Sequence, residues 1–161
     1  MRHYAGIGSR ETPKDIQDLM CRVARGLMRK GYVLRSGGAE GADKAFEAGM
    51  PSELKEIYLA NQILPCWALV FTDYFHPAPA RLSSYARRLM GRNALQILGK
   101  NGDTPVDFVV CWTKDGKASG GTGHAIRIAE YFGIPVFNLR NEGAKEALKE
   151  FVNAIHNQRE T

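Results

Sequence analysis

From Val106 to Ala129 the chain reads VDFVVCWTKDGKASGGTGHAIRIA, in which a short apolar run, a glycine-rich turn and an amphipathic stripe follow one another. Phe108-Val109-Val110-Cys111-Trp112 is rich in β-branched and aromatic residues, follows Pro105, and predicts a buried strand. Ala125, Ile128, Ala129 and Phe132 recur at helical spacing until Gly133-Ile134-Pro135 stops the helix. Between the two, Ser119-Gly120-Gly121-Thr122-Gly123 lets a ligand approach the backbone and leaves the first helical amides without intrahelical partners. Such amides attract phosphate, the helix dipole adds to the pull, and Ser119 and Thr122 can donate hydroxyls. A lone glycine-rich loop can equally be a flexible connection, so the weight of this one rests on its recurrence.

It does recur. His3 to Gly8 reads as a first strand ending in the turn Gly6-Ile7-Gly8-Ser9-Arg10. Thr12 is placed to cap the next helix, with Pro13 at its first position and Ile16, Leu19, Met20, Val23 and Leu27 as its buried stripe. Tyr32-Val33-Leu34-Arg35 predicts a second strand. It runs into another glycine turn, Ser36-Gly37-Gly38-Ala39-Glu40-Gly41-Ala42-Asp43, which opens a helix ending near Ala48-Gly49. Within that turn Asp43 reads more readily as a complement to the helix dipole than as a catalytic group, and Glu40 is the stronger candidate to meet ribose hydroxyls or a reacting group.

Lys55 to Leu59 predicts a third strand, and Ile134 to Leu139 a fifth. From Ala60 to Pro79 no period wins, and the segment reads as a covering loop or short helix in which His76 is structural. A helix from about Arg81 to Leu98 carries Leu82, Ala86, Leu89, Met90 and Ile97 on one face, with Asn93 interrupting the stripe. A buried amide there needs a partner: a neighbouring loop, a base or a ribose. Arg92 stands beside it for phosphate or stacking contacts, and Arg81, Arg87 and Arg88 make this the most basic helix, whether as a solvated face or a ligand-binding one. The last helix turns Leu148, Phe151, Val152 and Ile155 inward.

Five strands alternating with helices predict an α/β Rossmann-like three-layer sandwich around a mainly parallel sheet of order 3-2-1-4-5. The first and fourth strands then meet at the switch point, so the turns at Gly6 to Arg10 and Gly120 to Gly123 face each other across one crevice, with Ser36 to Gly41 as its adjoining wall.

At 161 residues the chain has the length of one domain, residues 1–161, able to bury a core without disulfides or structural metal. Cys21, Cys66 and Cys111 are odd in number and widely spaced, which predicts reduced thiols and no metal site. No apolar run is long enough to span a bilayer and no signal peptide is read at Met1 to Tyr4, so a cytoplasmic protein without a membrane partner is expected. The net charge of +5 suits an anionic partner without deciding between a nucleotide and a nucleic acid.

At these motifs the sequence resembles the superfamily that joins DNA-processing protein A with the LOG-type nucleotide-binding proteins. Gly6-Ile7-Gly8-Ser9-Arg10 is similar to its first-strand motif, Ser36 to Asp43 to the SGxAxGxD element of DNA-processing protein A, and Ser119 to Gly123 with Gly133-Ile134-Pro135-Val136 to the glycine turn and final strand of both branches. The resemblance spans nearly the whole chain, implies a nucleotide-binding domain that often dimerises, with Trp67 to Tyr74 as a candidate interface, and makes a bacteriophage a plausible source. Against the PGGxGTxxE element of LOG phosphoribohydrolases, Ser119 stands for the proline, His124 for the threonine and Arg127 for the glutamate. At this length the chain is expected to carry none of the flanking domains usual in DNA-processing protein A.

Three functions compete. The leading reading is a binding protein, with no cofactor required, that holds a phosphate-bearing nucleotide or nucleotide-derived ligand on Gly8, Ser9, Arg10, Ser36, Gly37, Gly38, Ala39, Glu40, Arg92, Asn93 and Ser119, Gly120, Gly121, Thr122, Gly123. The alternative is single-stranded DNA binding of the DNA-processing type, with Arg10, Arg35, Arg87, Arg88 and Arg92 adding charge and exposed aromatic residues stacking on bases. The third is cleavage of an N-glycosidic bond with Glu40 or Asp43 as the carboxylate.

Overall fold

The structure, a computed structural model, describes residues 2–160. Its strands are β1 (Arg2–Gly6), β2 (Tyr32–Ser36), β3 (Lys55–Ile57), β4 (Phe108–Cys111) and β5 (Val136–Asn138). All are parallel, in one sheet of order β3-β2-β1-β4-β5, the order expected from the sequence. Its helices are α1 (Lys14–Arg29), α2 (Ala42–Ala48), α3 (Cys66–Phe75), α4 (Ser84–Leu98), α5 (Gly120–Tyr131) and α6 (Ala144–Glu160).

Two cores sandwich the sheet because successive strand residues point to opposite faces. Tyr4, Leu34, Phe108 and Val110 face one way and meet Met20, Leu27, Phe46 and Leu148, which brings α1, α2 and α6 onto that side. Tyr4 stacks on Phe108 at 5.8 Å and meets Tyr32 and Phe46 edge-on, so four rings fill the centre of the layer. Burial of rings of this size contributes roughly 1.5–3 kcal/mol each. Ala5, Val109 and Cys111 face the other way, against Ala94, Ile97 and Ile128 of α4 and α5. Small residues at Ala94, Ala125 and Ala129 allow these two helices to lie close to the sheet and to each other.

Local details depart from the sequence reading in instructive ways. Thr12 does not cap α1: its hydroxyl donates to the Ser9 carbonyl at 2.6 Å, and Pro13 takes the N-cap position. The turn before the helix thus competes for the hydroxyl and wins it. Helix α4 starts at Ser84, capped by the Ser83 hydroxyl accepting from the Ala86 amide, because Pro79–Arg81 forms a separate 3-10 turn. Arg35, expected among the DNA-binding cations, lies opposite Glu56 in the β2–β3 register, is buried, and donates to that carboxylate at 2.9 Å and to Thr104. A charge in a strand covered on both faces survives only when paired, and this one serves the sheet.

Candidate functional site

The crevice forms where β1 and β4 end. Beyond the ladder, the Ile7 and Ser9 amides donate to the Val110 and Trp112 carbonyls, both at 3.1 Å, so the β1–α1 turn continues alongside β4. The Ser9 carbonyl accepts from the Thr12 and Ala42 amides, each at 3.3 Å, joining the turn after β1 to the start of α2. Two glycines are required for this closure. A Cβ on Gly8 would lie 2.7 Å from the Ala42 Cβ and 2.9 Å from the Trp112 carbonyl, and Gly41, at φ +86°, would press on the Ser9 and Arg10 backbone at 2.7–2.8 Å.

The resulting cleft has a volume of about 680 Å³. One wall is the β1–α1 turn with Gly8, Ser9 and Arg10; the opposite wall is the β4–α5 loop with Lys114, Asp115 and the run Ser119 to Thr122. Helix α4 roofs it with Tyr85, Met90, Arg92 and Asn93, and Ala39 with Asp43 forms the floor. The loop wall is tied down by a residue distant in sequence. Asn138 of β5 donates to the Thr113 hydroxyl at 2.7 Å and accepts from the Thr113 amide at 3.3 Å, while that hydroxyl donates to the Lys117 carbonyl at 2.8 Å.

Helix α5 makes its first intrahelical bond from the Gly123 amide to the Ser119 carbonyl at 2.9 Å, which leaves the amides of residues 120–122 as free donors at the cleft. The Ser119 side chain does not cap them, because its hydroxyl donates instead to Asp115 at 2.6 Å. That bond, with one from the Lys117 amide, holds the Asp115 carboxyl below its usual range. Asn93 donates to the Gly121 carbonyl at 2.7 Å and so fixes the first turn of α5 against α4. The partner that its burial demands is this helical carbonyl, leaving its own side-chain oxygen as an acceptor.

Arg92 donates to the Gly37 carbonyl at 2.9 Å, and its buried Nε–H has no partner. Burial pushes the Asp43 carboxyl up to about 6, against the opposing pull of Arg92 and the hydrogen bonds from the Ala39 and Gly8 amides. Three cations, Arg10, Arg92 and Lys114, therefore share the cleft with Glu11, Asp43 and Asp115. Lys114 and Glu11 stand 3.6 Å apart at the rim.

The structure brings together Gly8, Ser9, Arg10, Ala39, Asp43, Arg92, Asn93 and the run Ser119 to Thr122. It sets the others elsewhere. The Ser36 hydroxyl is buried and donates to the Gly6 carbonyl at 2.6 Å, and Gly37 lies behind Arg92 and Gln96. Gly38 packs on Leu59, Glu40 is exposed outside the cleft, and Gly123 is buried against the Ala118 backbone. Arg87, counted among the DNA-binding cations, pairs with Asp73 at 2.7 Å, and Arg88 is exposed. Arg127 clamps the Phe75 and Ala118 carbonyls at 3.2 and 3.3 Å, a structural use of a position where the resembled hydrolases have a glutamate.

Tyr85, Lys114 and Gln96 line the cleft but escaped the sequence reading. For Tyr85 a signal existed: an aromatic ring flanked by Arg81 and Arg88 at the start of the most basic helix. The ring is 60% exposed, so its face is open to a ligand. Among the described residues no group of three His, Cys, Asp or Glu is placed to hold a metal ion, and no helix is long and apolar enough to cross a membrane.

No family model matches the chain, and no curated protein matches it in sequence. Among solved structures the fold is similar to that of DNA processing protein A from Helicobacter pylori, a protein described for its single-stranded DNA binding mode. The two share 18% identity with a TM-score of 0.61, over 98% of this chain and 79% of the other. At that identity the likeness establishes a common fold.

Proposed function

We propose that the cleft binds single-stranded DNA, seating a nucleotide unit with its phosphate on the free amides at the start of α5 and its base against Tyr85. The observation that carries this reading is the convergence, in one cleft, of those amides, the guanidinium groups of Arg10 and Arg92, the Lys114 ammonium and an exposed aromatic ring. A phosphodiester needs donors and positive charge, and an unpaired base needs a flat apolar face; the lining of this one cleft offers each. The common fold with a protein described by its single-stranded DNA binding supports the same choice. Arg88, one turn beyond Tyr85 on α4 and exposed, offers charge to the next phosphate.

A second reading, capture of a free nucleotide or nucleotide-derived ligand, is favoured by the concave shape of the cleft, with Arg92 and Asn93 in its lining. Fluorescence anisotropy with a labelled oligothymidylate separates the two. Single-strand binding predicts saturable affinity at low salt that mononucleotides displace only at far higher concentration. Equal displacement by a mononucleotide would favour the second reading, and the absence of oligonucleotide binding at low salt would exclude the first.

A further inference from the structure

Helices α1 and α6 cover the same face of the sheet, yet they flank a groove of about 210 Å³ that shares no residue with the cleft. Its floor is aliphatic, formed by Val23, Leu27, Leu148 and Val152. Gly26 opens it: a Cβ built there meets nothing within 4 Å, so no intramolecular packing calls for glycine in the interior of a sixteen-residue helix, where alanine is more stable. Lys30, Lys145 and Lys149 rim it, and among the described residues none of the three is in a salt bridge.

We infer that this groove docks a short acidic peptide segment of a partner protein, with an apolar side chain seated over Gly26 and carboxylates on the three lysines. Charge selects among the occupants. A second copy of this chain, meeting the groove about a two-fold axis, would bring lysines against lysines. A nucleic acid would meet the lysines, but the aliphatic floor offers its bases no ring to stack on. A membrane surface favours protruding apolar side chains, whereas the large exposed ones here, such as Val70, Tyr74 and Phe132, lie outside the groove. An acidic peptide with an apolar anchor satisfies both the floor and the rim, and a groove this small takes a side chain or two from an extended or helical segment.

The test uses the full chain and a fluorescein-labelled hexapeptide of sequence Asp-Glu-Leu-Phe-Asp-Glu, followed by anisotropy. Saturable binding that weakens with salt is expected, and about tenfold weaker binding after Gly26→Leu, which fills the groove, or after the Lys145→Glu, Lys149→Glu double change. Gly26→Leu extends into open space and removes a helix-interior glycine, and its unchanged oligonucleotide affinity would report an intact fold. A peptide with both apolar residues replaced by serine should bind at least about tenfold more weakly than the parent. The proposal is overturned if the parent and serine peptides bind alike, if Gly26→Leu leaves peptide affinity unchanged, or if the double lysine change abolishes binding to phosphatidylglycerol vesicles while peptide binding persists.

Discussion

The Asn93 side-chain amide donates to the Gly121 carbonyl at 2.7 Å, bridging the middle of α4 to the first turn of α5. Because the amides of that turn are the cleft's anion donors, Asn93 holds them in place without using them. Asn93→Ala is expected to cost about 1–2 kcal/mol in urea denaturation, since the bond is lost in a buried setting. It should also weaken oligonucleotide binding. Full retention of affinity would show that the turn is held by other means.

Charge in the cleft is nearly balanced, with three cations against three carboxylates. Binding should therefore engage few phosphates, and the slope of log affinity against log salt should be about −2, as for two or three contacts to a single strand. Replacing Arg10 and Lys114 together by alanine should bring that slope to about −0.6, the share left to Arg92 and its neighbours. A slope several times steeper would instead point to a long basic track across the surface.

Tyr85 carries the base in this account. Tyr85→Ala should weaken oligothymidylate binding by about 1–3 kcal/mol, whereas Tyr85→Phe keeps the ring and should bind like the parent. A loss in the phenylalanine variant equal to that in the alanine variant would assign the contact to the hydroxyl.

The Asp43 carboxyl is held up near 6 from its ordinary value of 3.8, chiefly by burial. Its folded form favours the proton, so this group costs no stability below about pH 4, costs progressively more as pH rises towards 6, and levels off at its full cost above that. Asp43→Asn, which can still accept from the Ala39 amide, should be about 1–3 kcal/mol more stable than the parent at pH 7.5 and equal to it at pH 3.5. Oligonucleotide affinity, with diesters that do not titrate in this range, should fall between pH 5 and 7 in the parent and stay flat in the variant. A flat parent profile would remove Asp43 from the ligand's surroundings.

His124 is fully buried with both ring nitrogens unpartnered, near His76 and Arg127. Burial first, then Arg127 and His76, depresses its pKa from 6.5 to about 4. A depressed histidine leaves stability intact above pH 6.5 and erodes it as pH falls towards 4, where the unfolded chain binds the proton that the folded one refuses. In thermal melts His124→Phe should lose less stability than the parent across that window. Equal slopes would mean that the folded protein accommodates the proton.

Much of this arrangement could be read from the chain, because glycine turns at strand ends and short β-branched runs are local signals. The sheet order, the facing of the turns after β1 and β4, and the need of Asn93 for a partner all followed from them. Helix α3 was legible only as a covering loop or short helix, because Trp67, Phe71 and Phe75 pack inward while Val70 and Tyr74 face outward, so apolar residues on both sides erase the helical period. Arg35 looked available as a cation because its partner Glu56 becomes visible only once the β2–β3 register is known. The placement of Lys114 depends on the Asn138–Thr113 pair, and no local pattern links residues 25 apart.

The most direct test of the cleft as the DNA site is an amide NMR titration of the labelled protein with hexathymidylate at low salt. The account predicts that the Gly120, Gly121 and Thr122 amides and the Asn93 side-chain amide shift together and saturate, with Gly26 and Val152 unmoved. Shifts confined to other surfaces, with the α5 amides unchanged at saturation, would contradict it.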